Sequence, residues 1–104
     1  MYGTVARLQV NPGKEAAFKA LNERWQRERK PEVKGFIASY ALKSERRPSE
    51  WMVMAIFDTE EHYRENAADP EQHRQHERLR ALLAADPEWN DGEILTTEPS
   101  AVPV

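Results

Sequence analysis

The stretch Glu50-Trp51-Met52-Val53-Met54-Ala55-Ile56-Phe57-Asp58 decides the fold. Everything between its two acidic ends is apolar, without the alternation of a half-buried strand. Such a run, rich in aromatic and β-branched residues, predicts a strand buried on both faces. Side chains alternate along a strand. Met52, Met54 and Ile56 therefore share one face, and Trp51, Val53, Ala55 and Phe57 share the other. One set packs under helices of its own chain, and the other needs a different cover.

Upstream, the loop Ser44 to Ser49 is polar and contains Pro48, so Val33 to Lys43 is expected as the hairpin partner of this strand. Tyr2 to Val10 reads as a first strand. Asn11-Pro12 reads as an N-cap and first-turn proline for a helix running to about Lys30. Its apolar stripe is Ala17, Phe18, Leu21 and Trp25, and Pro31 stops it. Downstream, Asp58 is the expected cap of a second helical region, with Glu61 completing a capping-box-like pair. That region extends from about Thr59 to Ala84 and is broken or kinked at Asp69-Pro70. Asp91 to Thr97 is expected as the last strand. Trp89, after Asp86-Pro87, is expected to clamp its loop onto the body or a partner chain.

The order β-α-β-β-α-β predicts an α+β, ferredoxin-like fold: an antiparallel sheet with two helices on one face. One domain is expected over residues 1–98, with 99–104 as a tail or an arm laid on a partner. The doubly apolar third strand then has a consequence. A sheet covered by helices on one side leaves its other face bare. A second copy would cover it, giving a homodimer with facing sheets. At about 25 cal/mol per Å², a few hundred Å² of apolar area is worth several kcal/mol.

The 104 residues suffice for one modest core. No apolar run approaches the roughly 20 residues of a membrane span. The N-terminus lacks a basic segment followed by an apolar one, so a secretory signal is not expected. Cysteine is absent, which excludes disulfides, thiol nucleophiles and cysteine-ligated metals, and a cytoplasmic location is expected. The net charge of −3 argues against a dedicated nucleic-acid binder. The local basic cluster Arg24, Arg27, Arg29 and Lys30 sits where a helix ends and complements its dipole. No phosphate loop, dinucleotide fingerprint or nucleophile elbow is present.

Several segments together resemble a known family. They are Val10-Asn11-Pro12-Gly13-Lys14, Lys34-Gly35-Phe36, Met54-Ala55-Ile56-Phe57-Asp58-Thr59-Glu60-Glu61 and His76-Glu77-Arg78-Leu79. With the element order, they resemble the antibiotic biosynthesis monooxygenase-like domains of the dimeric α/β-barrel superfamily. The resemblance implies a dimer with a small pocket in each protomer, between the sheet and the second helix. Some members oxygenate polycyclic aromatic substrates without metal or flavin. Others degrade haem with an asparagine on strand one and a tryptophan and a histidine on helix two. Here those positions hold Ala6, Asn66 and His76, so only the histidine is kept. A tryptophan common at the end of strand three is Phe57.

Individual residues carry two readings each. His76 shares a helical face with Leu79 and Leu83, so it faces inward, as a satisfied core histidine or as a general base. Asn66 precedes the Asp69-Pro70 break, as a helix C-cap or as a holder of a substrate carbonyl or phenol. His73 and His76 have a spacing that a metal could use, but a third ligand is lacking and no metal is expected. Arg7 on a central strand is expected to pair with an acid or to bind an anionic substrate group. Tyr40, Met54 and Tyr63 are further candidate substrate contacts.

The expected function is a cofactor-independent monooxygenase acting on a small aromatic or quinol-type substrate. His76 is its base, and Asn66 or Arg7 its anion stabiliser. The alternatives are a non-enzymatic dimer that binds a small apolar or aromatic molecule, and a structural dimer with a filled core.

Overall fold

The computed structural model describes residues 1–95. Its elements are β1 (Tyr2–Gln9), α1 (Glu15–Glu28), β2 (Phe36–Lys43), β3 (Glu50–Phe57), α2 (Glu60–Ala67), α3 (Pro70–Arg80) and β4 (Glu88–Glu93), with a 3₁₀ turn at Lys30–Glu32. The sheet has the order β2-β3-β1-β4, and every neighbouring pair is antiparallel. This is the expected ferredoxin-like α+β architecture. The long apolar strand β3 lies inside the sheet beside β1, where pairing on both edges suits it.

Residues opposed across an antiparallel ladder point to the same face. The register Ala6↔Val53, Leu8↔Trp51 and Tyr2↔Phe57 therefore gathers one apolar layer. Ala6, Leu8, Val10 and Trp51 form the core with Phe18 of α1 and Leu83. Phe18 meets Trp51 edge-on at 5.0 Å between ring centroids. The helices lie over this layer. The opposite layer contains Val5, Arg7, Met52, Met54 and Ile56, with Ala38, Tyr40 and Leu42 of β2 beside them. Among the described residues nothing covers it, and Tyr40 and Leu42 are each 64% exposed. The two faces of the deciding stretch are thereby assigned: the Trp51 set is inside, and the Met54 set is outside.

Four local expectations are corrected. Asn11 does not cap α1. Asn11-Pro12-Gly13-Lys14 is a turn closed by Lys14 N–H on the Asn11 carbonyl at 3.0 Å, with Gly13 at φ 81°. Proline followed by a residue at positive φ marks a type II turn, and the helix begins after it. Ala17 is exposed, because the buried line runs through Phe18 toward Leu21 and Trp25.

The cap of α2 is Thr59, whose Oγ1 accepts from the His62 N–H at 3.1 Å. Asp58 bonds the His62 ring instead, at 2.7 Å. The break is real: Asp69 caps α3 by accepting from the Glu71 N–H at 2.8 Å, with Pro70 in the first turn.

The last strand, β4, begins three residues earlier than expected. Trp89 lies opposite Ala6 and Asn90 opposite Val5, so Trp89 is a strand residue and not a loop clamp. Its composition gave no strand pattern; pairing with β1 makes it one. The C-terminal end of the expected strand and the 99–104 tail lie outside the described residues. Among the described residues no helix is long and apolar enough to cross a membrane.

Candidate functional site

The space under the helices is filled unevenly, and the sheet register explains why. Ser39, Ala55, Thr4 and Asp91 form one row across the strands, on the helix side. Their side chains are short. The flanking rows carry Phe36 and Phe57 on one side, and Val53 and Trp89 on the other. A trough of small residues between bulky ones leaves a cavity of about 280 Å³. Thr4, Val53, Ala55 and Phe57 floor it. Asn22 and Trp25 of α1 and Tyr63 and Asn66 of α2 form part of its walls. Gln72, His76 and Leu79 reach it from α3, and Trp89 from β4. Among the described residues its lining contains no Asp, Glu, Lys or Arg. The cavity is aromatic and amide-rich, a combination that suits a flat molecule with a few polar edges.

His76 is half-buried. Its ring lies 5.2 Å from that of Trp89, with 33° between the planes. Gln72, one turn earlier, sits with its amide nitrogen 3.2 Å from His76 Nε2. Burial holds the His76 pKa below the ordinary 6.5, and the nearby His73 lowers it further. The imidazole is neutral at pH 7, and its one lone pair, on Nε2, accepts from the Gln72 amide, a bond that an acidic substrate proton would replace. Tyr63 is the opposite case. Burial and the Asp91 carboxylate, to which its O–H donates at 2.8 Å, push its pKa up to about 12. It remains a phenol and cannot serve as a base near neutrality. Asn66 lines the cavity while its Oδ1 accepts from Arg29 Nη2 at 3.2 Å.

Three of the residues singled out in the sequence, Tyr63, Asn66 and His76, are brought to one cavity. The other three are not. Arg7, Tyr40 and Met54 stand on the opposite face, because the alternation of β1, β2 and β3 turns them away. Arg7 pairs there with Glu50 at 3.0 Å. Trp25, Phe36, Gln72 and Trp89 were not picked out as site residues. Gln72 was readable, since it precedes His76 by four residues and shares its helical face. Ala6, at the haem-type strand-one position, is fully buried in the core and does not line the cavity. The residues for haem chemistry of that kind are not assembled. Among the described residues no three His, Cys, Asp or Glu side chains gather to hold a metal ion.

A family model described as antibiotic biosynthesis monooxygenase matches residues 1–85. No significant match is found among curated proteins. Solved structures share the fold. A variant of SnoaB, a cofactor-independent oxygenase from Streptomyces nogalater, superposes with a TM-score of 0.80 at 20% identity. The match covers 95% of this chain and 97% of that one. The NE2512 protein of Nitrosomonas europaea, of unknown function, gives 0.75 at 23% identity over 97% and 95%. A conserved protein from Methanosarcina mazei gives 0.77 at 19% identity over 88% and 89%. At these identities the likeness to solved structures is one of fold.

Proposed function

This chain belongs to the antibiotic biosynthesis monooxygenase family, and on that footing we propose that it is a cofactor-independent monooxygenase of a small, uncharged aromatic or quinol-type substrate. One observation carries the reading: a charge-free aromatic cavity into which a neutral histidine reaches. His76 takes a proton from a phenol or an activated carbon of the substrate. The resulting anion is electron-rich enough to reduce dioxygen. For an activated methylene, two hydrogens leave and one oxygen atom replaces them as a carbonyl. The second oxygen leaves as water, and all four electrons come from the substrate. Asn66 donates to the developing oxyanion. Trp25, Phe57 and Trp89 hold the ring system and keep water away from the anion.

The uncovered sheet face supports a homodimer, the assembly typical of the family. Arg7, Tyr40 and Met54 then belong to the interface between protomers and act on the substrate only by supporting the sheet beneath it.

Two measurements separate this reading from a pure binder and from a structural dimer. Uptake of dioxygen with naphthol, quinol and anthrone-type probes is expected. A rise in melting temperature with their unreactive quinone counterparts is expected too, because a ligand bound only by the folded state stabilises it. Binding without oxygen uptake would leave a small-molecule binder. Neither effect across the probe set would leave a structural dimer.

A further inference from the structure

The amide of Asn66 has a fixed direction, and Arg29 fixes it. We propose that Arg29 is a positioning residue that turns Asn66 into an obligate hydrogen-bond donor toward the cavity, so that the site selects ligands presenting an oxygen acceptor there. The inference rests on the reading of the cavity as a substrate site and adds a selectivity to it.

A guanidinium has five N–H donors and no acceptor. The atom of Asn66 that faces it at 3.2 Å must be the amide oxygen, whatever the amide's own preference. The nitrogen therefore points away from Arg29. Among the described residues the one side-chain hydrogen bond of Asn66 is this one, through its oxygen, and Asn66 lines the cavity.

Arg29 is itself held. Its side chain is only 15% exposed, and Glu32 and Asp69 each lie 3.7 Å from its guanidinium nitrogens. Asp69 is also the cap of α3. One side chain at the C-terminal end of α1 thus grips both sides of the α2–α3 break. A cation on the carbonyl end of an amide polarises it and strengthens donation from its N–H₂ end. The consequence is chemical: an oxygen that can accept, a carbonyl or phenolate above all, is welcomed at this point, and a C–H edge or a cationic N–H group without an acceptor is not.

The test uses three variants, Arg29→Met, Arg29→Lys and Asn66→Ala, and two probes, 1,4-naphthoquinone and naphthalene. The wild type is expected to prefer the quinone, and Arg29→Met to lose about tenfold of that preference, the ratio equivalent to about 1.4 kcal/mol. Asn66→Ala should lose as much, and adding Arg29→Met to it should cost no more. Arg29→Lys, which keeps a cationic donor, should recover part. The carbonyl stretch of the bound quinone should lie lower in the wild type than in Arg29→Met, a difference that mere loosening of the helix break would not produce. An unchanged preference and stretch in Arg29→Met would overturn the proposal.

A second readout needs no ligand. The side-chain ¹⁵N resonance of Asn66 should shift in Arg29→Met and stay near its wild-type position in Arg29→Lys; a resonance indifferent to both would also overturn the proposal. Failure of both probes to bind the wild type would sink the substrate-site reading instead, and the amide resonance would still decide the Arg29–Asn66 link.

Discussion

His76 of α3 lies against Trp89 of the edge strand β4, with 5.2 Å between the rings and 33° between their planes. The contact joins two consecutive elements, and pairing of β4 with β1, where Trp89 is opposite Ala6, fixes the position of the tryptophan against α3. It also closes one side of the cavity. Trp89 is 42% exposed, so its burial contributes modestly to stability. Trp89→Ala is expected to lower stability by about 1 kcal/mol while weakening binding of flat aromatic probes about tenfold. Urea denaturation and fluorescence titration separate the two effects. A large loss of stability with unchanged binding would assign Trp89 to the core instead.

The His76 base is neutral at neutral pH because burial, and then the charge of His73, lowers its pKa below 6.5. A base works above its pKa, so the acid limb of a pH–rate profile should fall below pH 6.5. Substituting His73→Ala removes the repulsion and raises the pKa, which moves the limb to higher pH. An NMR titration of the His76 ring in both proteins checks the direction without any substrate. The linkage has a definite sign. The folded protein binds the His76 proton less readily than the unfolded chain, so this group costs stability once the pH falls below 6.5.

His62 behaves in the opposite way. Its ring is bonded to Asp58 at 2.7 Å, which raises the His62 pKa above 6.5 and lowers that of Asp58 below 3.8. The histidine's contribution is fully present below pH 6.5 and is lost as the pH rises through the raised value. The aspartate's contribution is present above pH 3.8 and is lost as the pH falls through the depressed value. Asp58→Asn should bring the His62 midpoint back toward 6.5. The pair sits beside Gly35, whose φ is 77° and whose position leaves no room for a side chain against Asp58 and His62. Gly35→Ala is therefore expected to destabilise by about 1–3 kcal/mol, measurable by chemical denaturation.

Phe18 is the deepest contribution of α1 to the core, 1% exposed and edge-on to Trp51. Phe18→Ala should cost about 3–5 kcal/mol. Ala17→Ser, one residue away on the exposed side, should fall within about 0.5 kcal/mol of the wild type. Equal effects would contradict the helix orientation described here.

The open face of the sheet gives the next expectation. Met54→Lys or Tyr40→Glu puts a charge where a second copy would cover an apolar layer. Either variant should convert a dimer to a monomer in sedimentation velocity. A wild type that sediments as a monomer would leave the exposed Tyr40 and Leu42 without the partner proposed for them.

Much of this was legible in the sequence, for identifiable reasons. β3 announces itself by an unbroken apolar run, and Asp69-Pro70 by cap-and-proline chemistry that local energetics enforce. β4 was displaced because Glu88-Trp89-Asn90-Asp91-Gly92-Glu93 has little intrinsic strand character; its structure comes from pairing with β1. His76 was legible because helical spacing puts it on one face with Leu79 and Leu83, and Asn66 because an amide stands just before the Asp69-Pro70 break; no spacing argument pointed to Tyr63. Arg7, Tyr40 and Met54 were grouped with them because alternation separates two faces without saying which one the helices cover. The cavity itself depends on the row Ser39, Ala55, Thr4, which only the register brings together.

The most direct measurement is kcat/KM for dioxygen uptake by the wild type and by His76→Ala, at pH 7.5, on one naphthol or anthrone-type substrate. With His76 as the base, the variant should lose about 10²–10⁴-fold while still binding the quinone counterpart. A variant that turns over the substrate as fast as the wild type would contradict the assignment of the base and, with it, the proposed chemistry of the cavity.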